Sequence, residues 1–62
     1  MKWYEYRNPK SGEIKWWTQR DKNGVCFEVR EDGGKFRVFA CDLLVRTFHE
    51  LQSAINYAEG RA

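Results

Sequence analysis

The chain has 62 residues and a formal net charge of +2, with 32% charged and 42% hydrophobic residues. That length makes one small domain with a marginal core, because such a chain buries only ~60% of its unfolded surface. It excludes a two-domain enzyme and a dinucleotide fold, and the weak positive charge does not by itself argue for nucleic acid.

The composition is that of a small folded domain rather than a disordered chain. Three Trp, three Tyr and four Phe make up an aromatic share of 16%. Large rings let a short chain build a core from few residues, and some can be left for display. No run of ~18 apolar residues is present, so no transmembrane helix is expected. Met1–Glu5 carries no apolar stretch of the secretory kind. The expectation is a soluble cytoplasmic protein without a membrane partner.

The five glycines fall at punctuation points, and the runs between them are rich in aromatic and β-branched residues. These runs predict four strands, at about 2–7, 13–20, 25–31 and 35–41. Asn8–Gly12, Asn23-Gly24 and Asp32-Gly33-Gly34 are turn chemistry, since these residues accept positive φ at little cost. With Asn8–Gly12 as the first loop, Arg7 faces Glu13, Tyr4 faces Trp16 and Trp3 faces Trp17. A two-residue Asn23-Gly24 loop sets Trp17 opposite Arg30 and Thr18 opposite Val29. The third turn allows two registers: Gly33-Gly34 sets Cys26 opposite Cys41, and Asp32-Gly33 sets Glu28 opposite Arg37. The second has the better charge pairing, and both keep the same faces together.

One division of side chains follows. Tyr4, Tyr6, Ile14, Trp16, Val25, Phe27, Val29, Phe36, Val38 and Ala40 form an apolar face. Trp3, Glu5, Arg7, Lys15, Trp17, Gln19, Cys26, Glu28, Arg30, Lys35, Arg37, Phe39 and Cys41 form a mixed one. After the fourth strand, Leu43, Leu44 and Val45 read as a short fifth strand or a buried linker. Thr47-Phe48-His49-Glu50 matches a capping box. Phe48, Leu51, Ala54, Ile55 and Ala58 then recur at helical spacing, which predicts a helix over about 48–59, ended by Gly60. The predicted fold is α+β: a four-stranded antiparallel meander with one C-terminal helix packed on its apolar face.

Little supports catalysis. His49 is the one histidine, and no spacing brings it to Cys26 or Cys41. Glu5 and Glu28 lie beside cations, where ordinary cross-strand ion pairs account for them. Gly33-Gly34 opens no helix and precedes no Lys-Ser/Thr, so it is no phosphate loop. Two cysteines without a Cys-x-x-Cys spacing argue against a zinc site and for reduced packing thiols. No cofactor, metal or enzymatic activity is expected.

The mixed face is the feature with functional content. Trp3, Trp17 and Phe39 share it with Arg7, Lys15, Arg30 and Arg37. Rings stack on bases or on flat apolar partners, while Arg and Lys take phosphates or carboxylates. The structural alternative is a Trp–Trp cross-strand pair with Arg30 on a ring by cation–π attraction.

Two local motifs are similar to those of sheet-plus-helix DNA-binding modules. Tyr6-Arg7-Asn8-Pro9-Lys10-Ser11-Gly12 resembles the Tyr-Arg-Asp/Asn-Pro-x-Ser/Thr-Gly hairpin of the arm-site-binding domain of tyrosine recombinases. Glu28-Val29-Arg30, Thr47-Phe48, Ala54 and Tyr57-Ala58 resemble elements of the plant ethylene-response type of DNA-binding domain. Both families lay the sheet face into the DNA major groove. The resemblance therefore implicates Arg7, Lys15, Trp17, Arg30 and Arg37 in DNA contact.

The expected function is a small accessory DNA-binding protein of the phage or mobile-element kind, acting as a monomer or weak dimer. The alternative is a small inhibitor or adaptor that binds a host protein through the same face or a sheet edge.

Overall fold

Runs of aromatic and β-branched residues, each closed by a tight turn, produce a simple meander. The computed structural model describes residues 2–61. Its strands are β1 (Tyr4–Arg7), β2 (Ile14–Trp17), β3 (Phe27–Asp32), β4 (Lys35–Ala40) and β5 (Leu43–Phe48), followed by the helix α1 (Leu51–Arg61). All neighbours pair antiparallel in the order β1-β2-β3-β4-β5. The α+β class and the helix-covered sheet are as the sequence predicts. The strand count is five rather than four.

The first hairpin corrects the predicted register by one residue. Asn8 belongs to the ladder, not to the loop: its N–H donates to the Glu13 carbonyl at 2.8 Å. Its side-chain oxygen accepts the N–H groups of Lys10 at 2.9 Å and Ser11 at 3.4 Å, an Asx-type turn that tightens the loop. Tyr4 therefore faces Trp17 and Arg7 faces Ile14. A slip of one residue turns every β1 side chain to the other face. Tyr4 and Tyr6 move to the mixed face, while Trp3, Glu5 and Arg7 leave it.

The second hairpin also departs, but harmlessly. The Asp21 carboxylate accepts N–H groups from Asn23 and Val25, and Asp21 N–H donates to the Val25 carbonyl, which closes a three-residue loop over Lys22–Gly24. Lys15 then faces Arg30 and Trp17 faces Glu28. The shift is by two residues, so the predicted faces survive. The Thr18 hydroxyl accepts the Phe27 N–H at 2.9 Å, which satisfies a buried pair beside the core.

Between β3 and β4 the Gly33-Gly34 register holds, and the better-charged alternative does not. Both glycines have positive φ, at 59° and 82°, as a two-residue turn of the primed type requires. Cys26 and Cys41 consequently face each other, with Cys41 N–H donating to the Cys26 carbonyl at 3.1 Å, and both thiols are free.

The last hairpin carries no glycine. Cys41 and Asp42 themselves take positive φ, at 50° and 68°, to join Ala40 and Leu43. A bulge between Val38 and Phe39 then lets Val45 pack on the core. Thr47 and Phe48 are strand residues opposite Arg37 and Phe36, so the predicted capping box does not form. The helix begins at Leu51, with Ala54 N–H bonded to the Glu50 carbonyl, and it runs through Gly60 instead of stopping there.

The helix lies over β3, β4 and β5. Ala54 and Ala58 are fully buried against Phe27, Val29 and Val38, and their small side chains let helix and sheet approach closely. Trp3, Trp16, Phe36, Phe48, Leu51 and Tyr57 ring this centre. Phe48 and Tyr57 meet at 5.4 Å between ring centroids, with the Arg46 guanidinium over both.

Two substitutions test this packing by urea denaturation. Ala54→Leu forces a large side chain between helix and sheet, with an expected loss of about 1–3 kcal/mol. An unchanged midpoint would place the helix elsewhere. Cys41→Asn puts a residue tolerant of left-handed geometry into the last turn, with an expected gain of about 0.5–1 kcal/mol.

Candidate nucleic-acid interface

The face opposite the helix is displayed by strand alternation alone. Two rows of side chains cross it. In one, Tyr6, Lys15, Arg30, Arg37 and Thr47 stand directly opposite one another on the five strands. In the next row stand Tyr4, Trp17, Glu28, Phe39 and Leu44. The first is a row of cations over the three central strands. The second holds three rings, interrupted by one carboxylate and ended by Leu44.

Five of the seven site residues expected from sequence come together here: Lys15, Trp17, Arg30, Arg37 and Phe39. The other two do not. Trp3 packs beside the helix core, and its indole N–H donates to the Glu59 carboxylate at 3.1 Å. Arg7 faces Ile14 on the helix side of the edge strand. Glu5, expected beside Lys15, instead accepts the Trp16 indole N–H at 3.0 Å on the helix side. One cause underlies all three: Asn8 is inside the ladder.

The same slip supplies the residues that sequence reasoning missed. Tyr4 stacks on Trp17 with ring centroids 4.7 Å apart and planes 25° apart, in place of the expected Trp3–Trp17 pair. Tyr6, half exposed, stands beside Lys15, whose ammonium lies 5.9 Å from the ring centre. The hydrogen-bonding capacity of Asn8 ahead of Pro9 was the available signal, because an Asx turn needs its Asn at the end of the strand.

The cations of the face are unevenly neutralised. Arg30 is paired with Glu28 two residues along its own strand, and its guanidinium carbon also lies 4.3 Å from the centre of the Phe39 ring. Arg37 pairs with Asp32 at 2.8 Å. The Arg37–Asp32 pair is well exposed, where such contacts are worth ~0–1 kcal/mol, while Glu28 in the Arg30 pair is only 21% exposed. Lys15 makes no carboxylate pair among the described residues. Lys15 and Arg30, and Arg30 and Arg37, are direct cross-strand neighbours of like sign, an arrangement that destabilises a bare sheet.

Two shallow open grooves flank Lys15. One, of about 230 Å³, lies between Trp17, Cys26, Glu28, Phe39 and Cys41. The other, of about 250 Å³, is lined by Tyr6 and Arg30 among others. Both are smaller than the ~300 Å³ at which ligand pockets usually begin, so the face suits an extended ligand lying across it. Among the described residues, no group of three or more His, Cys, Asp and Glu converges, and no helix is long and apolar enough to cross a membrane.

No family model, no curated protein and no solved structure matches this chain.

The like-charge row has a measurable consequence. Lys15→Glu replaces a repulsive neighbour of Arg30 by an attractive one. It is expected to stabilise the isolated protein by about 0.2–1 kcal/mol in low salt, read as a raised melting temperature. Lys10→Glu, out on the first loop, is the control and should leave the temperature unchanged.

Proposed function

We propose that this protein is a small DNA-binding protein that receives its ligand on the open sheet face. The observation that carries this reading is the row Lys15–Arg30–Arg37, three cations set directly opposite one another on an uncovered surface. Arg30 and Arg37 are already paired with Glu28 and Asp32, so the like-charge repulsion is partly offset in the free protein, and a polyanion relieves what remains, above all at Lys15. Phosphates replace the repulsion by charge-assisted hydrogen bonds and release condensed counterions. Lys35, on the same face, adds to the positive field. The rings beside the row offer the apolar part of the contact. The motif resemblance to sheet-plus-helix DNA-binding modules also involves Lys15, Trp17, Arg30 and Arg37, although it implies a duplex ligand.

A second reading has its own observation. Leu43 and Leu44, 68% and 50% exposed, lie on β5 at the free edge of the sheet. An inhibitor or adaptor could pair that edge with a strand of a protein partner. Complex formation that salt does not weaken would favour this reading.

The test is binding of fluorescein-labelled DNA followed by anisotropy over a series of salt concentrations. Affinity is expected to fall steeply with salt. Arg30→Ala and Arg37→Ala should each weaken binding and reduce the logarithmic slope by about 0.7–0.9, the value of one phosphate contact. Lys10→Ala and Lys22→Ala, out on the loops, remove the same charge and should leave affinity nearly unchanged. Equal losses from loop and face variants would reduce the effect to net charge and overturn the proposal.

A further inference from the structure

From the ring row and the width of the sheet, we infer that the DNA taken by the open face is single-stranded. This inference rests on the DNA-binding reading above and specifies its ligand.

Width is the first argument. The cations stand on β2, β3 and β4, with a further strand on either side. Five strands spaced ~4.8 Å apart make a surface ~19 Å across. The major groove is ~12 Å wide and admits a helix or a two-stranded ribbon. The flanking strands β1 and β5 hold the groove walls of a duplex away from the central cations. A single strand has no walls and can lie across all five strands.

The second argument is what the rings can touch. In a duplex the base faces are already stacked on one another. In a single strand they are free to stack on aromatic side chains or on a guanidinium plane. The open face holds two such platforms already assembled: Trp17 on Tyr4, with centroids 4.7 Å apart, and the Arg30 guanidinium over Phe39, at 4.3 Å. They belong to adjacent positions along the sheet, because Trp17 follows Lys15 by two residues on β2 and Phe39 follows Arg37 by two on β4. Rings and cations are thus offset by ~6.7 Å along the strands. Bases can rest on the ring row while phosphates rest on the cation row. Glu28 and Asp32 oppose a polyanion on this face, but each carboxylate is turned to an arginine, Arg30 and Arg37, and Glu13 and Glu31 line the groove beside Lys15 and Arg30.

The test compares four probes by anisotropy at one salt concentration. They are oligo(dT) of about 15 nucleotides, within the site sizes of small single-strand-binding folds; a duplex of equal length; an abasic deoxyribose-phosphate chain; and oligo(rU). Oligo(dT) is expected to bind at least ~10-fold tighter than the duplex or the abasic chain, the gain of one stacked base or more. Trp17→Ala should lose ~10-fold on oligo(dT) and nothing on the abasic chain, and Trp17→Phe should keep most of the affinity. Glu28→Gln should bind oligo(dT) more tightly. Should Trp17→Ala fail to fold, intrinsic fluorescence decides. Trp3 and Trp16 are held on the helix side by Glu59 and Glu5, so quenching by oligo(dT) should vanish in Trp17→Phe. Duplex binding as tight as oligo(dT), or an abasic chain equal to oligo(dT), overturns the single-strand assignment and leaves the DNA reading standing. Tighter binding of oligo(rU) overturns DNA as the ligand. Failure of all four probes to bind overturns the DNA reading itself.

Discussion

Two alanines set the geometry of this protein. Ala54 and Ala58 bring the helix down onto Val29 and Val38, and all four are completely buried. A residue larger than alanine on that side of the helix would lift it from the sheet and open the centre of a core that has no volume to spare. Everything else in the fold answers to this contact. It makes one sheet face interior and leaves the other open. It also forces the large rings outward to the margins of the core, where Trp3, Trp16, Phe36, Phe48 and Tyr57 are only partly buried. A domain of this size gains apolar area from such a rim more readily than from a wider centre.

The three tryptophans show how the same side chain is used on the two faces. Trp3 and Trp16 both cover the core and both direct the indole N–H at a carboxylate, Glu59 and Glu5. Each therefore has its apolar body inside and its polar edge satisfied at the surface. Trp17 has neither arrangement. It stacks on Tyr4 and borders an open groove with Phe39 and the two cysteines. Half-buried rings away from the core, with the half-exposed Tyr6 beside them, are the kind of surface that binding uses.

Electrostatics on the open face are arranged locally rather than by net charge. Glu28 and Asp32 lie beside Arg30 and Arg37, which holds the two guanidinium groups in place without covering them. Lys15 makes no ion pair among the described residues, and its ammonium lies 5.9 Å from the Tyr6 ring centre. The modest net charge of +2 thus coexists with a row of three aligned cations, two of which are paired with carboxylates on the same face.

Much of this was legible in the residues themselves. Alternation with period two assigned Phe27, Val29 and Val38 to the covered side, and Lys15, Trp17, Arg30 and Arg37 to the open side. Gly33-Gly34 marked its turn because two successive positive φ values suit glycine. The stripe of Ala54 and Ala58 marked a helix that must lie on the sheet. Three features were decided only by tertiary structure. Asn8 could end a strand or begin a loop, and the choice depends on where its side chain and N–H find partners across the hairpin. That choice moved Trp3 and Arg7 off the open face and brought Tyr4 and Tyr6 onto it. Cys41-Asp42 carries no turn signature, yet it turns, because β5 gains a full ladder along β4. Thr47-Phe48 reads locally as a helix start, yet it extends β5, because Phe48 packs there between Phe36 and Tyr57 and Thr47 completes the ladder opposite Arg37. Local chemistry set the period of each segment. Register, and with it the make-up of each face, is a property of pairs of segments, and only the assembled sheet could decide it.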